Sequence, residues 1–142
     1  MIYTWEINRN RQYFNLEKFT ELVECVRKII PISGVDIRDY EGNEPMTINH
    51  NQIWFNGDLR RFEHHETFSI RRIPKLNCVT EYGQCDTGDK PYDIVVAATL
   101  LMLKHHFPEK VKLYPEEIND HWIRGYDLAN QVCHLEALEE LL

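Results

Sequence analysis

Asp89-Lys90-Pro91-Tyr92-Asp93-Ile94-Val95-Val96-Ala97-Ala98-Thr99-Leu100-Leu101-Met102-Leu103-Lys104-His105-His106 is the stretch that decides the fold. Between Ile94 and Leu103 it carries almost no polar side chain. A helix that is apolar nearly all round has to be enclosed, so this one is expected to pack against a sheet and against another helix. Its start is marked twice. Asp89 can accept a hydrogen bond from an exposed backbone N–H, and Pro91 suits a first turn, where no helical donor is lost. At the other end Lys104, His105 and His106 place cations beside the negative end of the helix dipole.

Upstream, Asn15 reads as the N-cap of an amphipathic helix with Leu16, Phe19, Val23, Val26 and Ile30 at three- and four-residue steps, ended by Pro31. A short strand over 2–7 precedes it. The middle of the chain reads as antiparallel sheet. Val35-Asp36-Ile37, Met46-Thr47-Ile48 and Ile53-Trp54-Phe55 are separated by turns at Glu41-Gly42-Asn43 and Asn49-His50-Asn51, and Asn56-Gly57-Asp58 closes the last. Asn and Gly there supply left-handed backbone for hairpin turns. A longer strand is expected over 62–73, stopped by Pro74, and another over 78–82. After the central helix come a strand at Val111-Lys112-Leu113-Tyr114 and a helical segment carrying Ile118, Trp122, Leu128, Val132, Leu135 and Leu138, which Gly125 either interrupts or does not. The expected fold is α+β, in one domain over 1–142. Its hairpin-rich antiparallel sheet packs against the central apolar helix, with N-terminal and C-terminal helices around it.

The chain's 142 residues are enough to bury a real core, and 43% hydrophobic with 27% charged residues is a globular rather than a disordered composition. No apolar run approaches the roughly 20 residues of a membrane span, and the first residues lack the plan of a signal peptide. A cytoplasmic protein without membrane contact is expected. In such a compartment Cys25, Cys78, Cys85 and Cys133 read as small buried residues rather than disulfides. The net charge of −7 is concentrated after residue 115, where seven acids face one base. General nucleic-acid binding, which relies on a broad positive surface, is therefore not expected. The local basic cluster of Arg60, Arg61, Arg71, Arg72 and Lys75 still suits a small anion.

Motifs for catalysis are absent. The histidine pairs His64-His65 and His105-His106 diverge on a strand or a helix and do not chelate one ion by themselves. No HExxH is present, and Cys78 and Cys85 are too widely spaced for a common zinc knuckle. A metal site assembled from Cys78, Cys85 and His105 stays open as an alternative, as does a Cys–His pair brought together by the fold. Asn49-His50-Asn51 falls in a turn without the partners of a nuclease site, and no G-x-S-x-G elbow occurs. No resident metal or cofactor is expected.

A binding site of ordinary parts remains. On a strand over 62–73, Phe62, His64, Glu66, Phe68 and Ile70 share one face, and Glu63, His65, Thr67, Ser69 and Arg71 form a polar stripe on the other. That stripe is either a solvated face or part of a site. The start of the central helix, with Thr87, Gly88 and Lys90, is either a capped terminus or a phosphate site. Together they give a ligand-binding set of Thr87, Lys90, Tyr92, His65, Thr67, Ser69, Arg71 and Arg72.

The run Cys85-x(4)-Lys90-Pro91-Tyr92-Asp93-Ile94-Val95-Val96-Ala97, the histidines after it, Trp122, and Glu66-Thr67-Phe68 with the arginine after it resemble a family of small phage and prophage proteins over residues 56–128. The resemblance implies a viral accessory protein in the bacterial host cytoplasm and brings no catalytic residues with it. The leading expectation is a non-enzymatic protein that binds a small nucleotide-type ligand and sequesters a host immune signal. The alternative is a protein–protein inhibitor or assembly factor that meets a host protein through its acidic C-terminal segment. A metal- or Cys/His-dependent enzyme comes third. Leu135, Leu138, Leu141 and Leu142 look too many for one short chain to cover, so a homo-oligomer is expected.

Overall fold

The computed structural model describes residues 1–39, 44–75 and 78–142; the turn expected at Glu41-Gly42-Asn43 lies outside them. In chain order the elements are β1 (Ile2–Asn8), α1 (Leu16–Ser33), β2 (Thr47–Asn49), β3 (Gln52–Phe55), a 3-10 turn (Leu59–Arg61) and β4 (Phe68–Arg71). They continue with β5 (Thr80–Asp86), α2 (Asp93–His106), β6 (Val111–Leu113), α3 (Asp120–Ala129) and α4 (Leu138–Leu141). The fold is α+β, with two three-stranded antiparallel sheets of order β5-β1-β6 and β2-β3-β4. Among the described residues no helix is long and apolar enough to cross a membrane.

Period-two alternation in β1 turns Tyr3, Trp5 and Ile7 inward. In the second sheet Ile48, Ile53 and Ile70 line up across the strands, and Phe55 faces Phe68. Phe68 meets Phe55 at 5.1 Å and Trp5 at 5.5 Å between ring centroids, so both sheets feed one core. A buried cation ties them at one edge. Arg9, 1% exposed, pairs with Glu81 at 2.7 Å and donates to the Arg71 carbonyl at 2.6 Å, with its guanidinium over the Phe14 ring.

Helix α2 is enclosed as its composition requires. Every residue from Val95 to Leu103 is buried. Helix α3 lies so close that a Cβ on Gly125 would sit 2.5 Å from the Ala97 Cβ and 2.9 Å from the Ala98 nitrogen. Gly125 therefore does not break the helix; it is the residue that lets two helices touch. Of the leucines that suggested an oligomer, Leu138 and Leu141 are buried in the same core, and Leu135 and Leu142 are partly buried against it.

Several expectations are corrected. Pro31 lies inside α1, where a proline in the last turn removes only one late hydrogen bond. Gly34, at φ 70°, ends the helix and donates to the Pro31 carbonyl. Val35-Asp36-Ile37 forms no strand; only the adjacent Arg38 makes isolated bridges, to Pro45 and Asn56. The turn at 49–51 has no left-handed residue. Asn49 builds it instead with its side chain, accepting from the Asn51 and Gln52 N–H groups. The strand expected over 78–82 starts later and runs on to Asp86.

The long strand over 62–73 does not exist; only 68–71 pair. Asp58 caps the 3-10 turn through the Arg60 N–H, and Phe62 leaves that turn in left-handed conformation at φ 58°. The buried Asn56 side chain then takes both backbone groups of His65, accepting from its N–H at 3.0 Å and donating to its carbonyl at 2.8 Å. A side chain has replaced the strand partner those groups would otherwise need. The start of α2 is also corrected. The helix begins at Asp93, after Pro91, and the Asp93, Val95 and Val96 N–H groups donate to the carbonyls of Lys90 and Tyr92. Asp89 does not cap it; its carboxylate holds the Met1 amine at 2.5 Å.

Gly125→Ala tests the helix contact. The added methyl meets backbone as well as side chain, so overpacking outweighs the gain in helix propensity, for a net loss of about 1–2 kcal/mol. Urea unfolding of the variant against the parent chain measures it.

Candidate functional site

The first turn of α2 puts a carboxylate inside the protein. Asp93 is 4% exposed, and three elements supply its donors. Tyr3 Oη of β1 donates to Oδ2 at 2.8 Å, Thr87 Oγ1 donates to Oδ1 at 2.5 Å, and His121 Nδ1 of α3 lies 2.9 Å from Oδ2. The carboxylate oxygen accepts, so His121 carries its proton on Nδ1 and turns Nε2 toward Asp89, 3.8 Å away. Burial, then the Asp93 charge, pushes the Tyr3 phenol above its ordinary pKa, which keeps it a donor. Trp122 stands edge-on to the Tyr3 ring at 5.0 Å and seals this node from behind.

Asp89, Asp93 and His121 form the one trio among the described residues whose donor atoms lie within 4.8 Å of one another, as a metal site requires. Both oxygens of Asp93 are already engaged by protein donors, and Asp89 holds an amine. The trio works as a hydrogen-bond network that fixes the loop 86–92. The composite set considered from sequence is not assembled. Cys78 Sγ bonds to the Thr80 carbonyl, Cys85 Sγ to the Glu66 carbonyl, and His105 to Glu136. Burial, then the Glu66 charge, pushes the Cys85 thiol up to about 12, which keeps it protonated.

On the outer side of that loop lies an open cleft of about 520 Å³, lined by Phe62, His64, His65, Glu66 and Lys90. Tyr92 does not line it; it is fully buried, with its hydroxyl donating to the Glu66 carbonyl at 2.5 Å. His65 packs against Gly88 and lies 3.6 Å from the Asp86 carboxylate. His64 Nδ1 is buried without a hydrogen-bond partner among the described residues. Phe62 is 77% exposed and holds a left-handed backbone, which costs a non-glycine residue about 1 kcal/mol or more. Strained non-glycine backbone of this kind clusters at functional sites.

Of the residues expected to bind ligand, the fold brings Lys90 and His65 to the cleft. Thr87 is buried against Asp93 and Tyr92 is buried with its hydroxyl on the Glu66 carbonyl, so neither presents its side chain to a ligand. Thr67 lies behind His65, where its hydroxyl accepts from Asn56 at 3.3 Å. Ser69 and Arg71 are on the outer face of β4, and Arg71 pairs with Gln52 beside the hairpin turn, about 10 Å along the strand from Phe68. Arg72 is spent on that turn, donating to Asn51 Oδ1 and the His50 carbonyl. The basic cluster is thus split, with Arg60 and Arg61 beside Phe62 and Arg71 and Arg72 at the far end of β4. Sequence reasoning missed Phe62 because alternation assigned it to the core, and missed His121 because only the packing of α3 on α2 shows which way it points.

No protein-family model, curated protein or solved structure matches the chain.

Two substitutions separate the buried node from the cleft. Tyr3→Phe leaves the Asp93 carboxylate one donor short in a dry site and lowers stability by about 2 kcal/mol in denaturant titration. Phe62→Gly relieves the left-handed strain and leaves stability unchanged or higher, by up to about 1 kcal/mol, in the same measurement.

Proposed function

We propose that the protein binds a small phosphate-bearing ligand of the nucleotide type in the cleft between Phe62 and Lys90, without transforming it. The observation that carries this reading is Phe62, a large aromatic ring exposed on a strained backbone at the rim of a cleft that also holds a lysine and two histidines. An exposed ring offers a base a stacking platform worth about 1–3 kcal/mol. Lys90 supplies a point charge for phosphate, and His64 and His65 supply ring N–H donors at its side. Glu66, whose carboxylate also accepts from the Asp86 N–H, lines the same cleft and suits the exocyclic amine or ribose hydroxyl of the ligand. Asp93, Thr87, Tyr3 and His121 stand behind the cleft and hold Lys90 in place through the loop 86–92. The likeness to phage proteins supports a setting in the host cytoplasm, where binding of this kind removes a nucleotide immune signal.

Isothermal titration with inorganic phosphate and with mono-, di- and cyclic nucleotides tests the reading. One nucleotide class is expected to bind, and Phe62→Ala and Lys90→Ala are each expected to weaken it at least tenfold with the melting temperature preserved. Absence of heat with every member of the panel refutes it. Capture of a host protein under those conditions, lost on reversing charge at Glu139 and Glu140, moves the function to the acidic C-terminal surface.

A further inference from the structure

Away from the cleft, two cysteines and a histidine from three parts of the chain converge. Cys25 lies on α1, His106 is the last residue of α2, and Cys133 sits in the non-helical segment between α3 and α4. Cys133 Sγ lies 3.1 Å from Cys25 Sγ across a sequence separation of 108 residues, and both thiols are free. His106 Nδ1 lies 2.8 Å from the Met102 carbonyl, an atom that only accepts, so Nδ1 carries the proton and Nε2 is the basic nitrogen. The imidazole is near enough to Cys25 to draw the thiol's pKa down. A disulfide needs the sulfurs about 1 Å closer, at about 2.05 Å. The segment that carries Cys133 is held to the end of α3 by the Gln131, Val132 and Cys133 N–H groups, which donate to the Leu128 and Ala129 carbonyls, and further on by Asn130 to the Leu135 N–H and by His105 and Tyr126 to Glu136.

We propose that Cys25 and Cys133 form a redox-active dithiol, with His106 activating Cys25, and that it exchanges with low-molecular-weight disulfides of the glutathione class. Cys25 is half-buried and meets the reagent; Cys133, 9% exposed, is sheltered behind it. Cys25 gives its proton to His106 Nε2, and its sulfur attacks one sulfur of the disulfide RSSR. The Cys25–SR bond forms, the S–S bond of the reagent breaks, and RS⁻ leaves and takes that proton. The Cys133 sulfur then attacks Cys25 Sγ and expels a second RS⁻, which takes the Cys133 proton. Two protein thiols are oxidised to one disulfide while RSSR is reduced to two RSH.

The surroundings favour this division of labour. The Cys133 S–H donated to Cys25, and after it His106, holds the Cys25 thiol well below its ordinary pKa, while the same bond and burial push Cys133 up. Lys28, one turn along α1, adds a positive charge; Glu21, one turn back, faces His106, and the His105 ring stands edge-on to it at 5.2 Å. A low thiol pKa beside an imidazole marks a reactive cysteine, and a second thiol in reach makes the reaction reversible.

The full chain, equilibrated in glutathione buffers of increasing oxidised fraction, alkylated and mapped by peptide mass, tests the proposal. A single Cys25–Cys133 disulfide is expected, with Cys78 and Cys85 still alkylated after unfolding and a melting temperature raised by on the order of 10 °C. Cys133→Ser is expected to stop at a mixed disulfide between Cys25 and glutathione. His106→Gln, with its fold verified by circular dichroism, is expected to slow alkylation of Cys25 by iodoacetamide at pH 7 about tenfold and to move its pH midpoint toward that of an ordinary thiol. The proposal is overturned if no Cys25–Cys133 bond forms in any buffer, or if Cys25 in the parent chain is alkylated with the pH profile and rate of Cys78.

Discussion

A carboxylate buried at the first turn of α2 is the constraint on which the rest of the structure depends. Asp93 has lost its water, and a buried charge is tolerated only when donors surround it. Those donors come from β1, from the loop after β5 and from α3, so Tyr3, Thr87 and His121 fix three elements to the start of the central helix. Removal of any one changes both the node and the loop 86–92 that rests on it. Arg9 plays the complementary part at the edge where β1, β4 and β5 meet, a buried cation held by one carboxylate and two carbonyls. Between the two the packing is apolar and carries little directional information, so the polar nodes give it register.

The same loop separates a structural surface from a candidate functional one. Its inner side, Thr87 and Asp93, is committed to the node. Its outer side presents Lys90 to the cleft. Across from it the segment 56–66 is shaped by side-chain capping and not by strand pairing, through Asn56 and Asp58. That construction frees Phe62, His64 and His65 from a sheet and turns them toward the cleft. A rigid scaffold presenting irregular segments is the usual arrangement for recognition. Helix α2 serves both ends of the molecule, with the cleft loop at its start and the imidazole of His106 beside the paired thiols at its end.

How much was legible in advance depended on the kind of interaction. The apolar run 94–103 announced an enclosed helix, and the periodicities of β1 and α1 announced their buried faces, because burial acts on each residue through its own hydrophobicity. Asn15 was readable as an N-cap because capping is local, and the side chain accepts from the Lys18 N–H as expected. The alternation over 62–73 misled because hydrophobic period alone does not distinguish a paired strand from a loop whose backbone is satisfied by a side chain. Pro31 misled for a similar reason, since a breaker near the end of a helix costs too little to stop it.

The amino-acid sequence by itself determined the α+β class, the enclosed central helix and the residues at most of its buried positions, all of which follow from composition and short-range period. Only the tertiary structure decided which polar groups meet. It withdrew Thr87, Tyr92 and Arg72 from the ligand set, brought His121 to Asp93, exposed Phe62, and set Cys25 beside Cys133 and His106. The physical reason is range. Hydrophobic burial is non-directional and can be read one residue at a time, whereas hydrogen bonds, ion pairs and thiol contacts depend on angles and distances of a few ångströms between residues far apart in the chain.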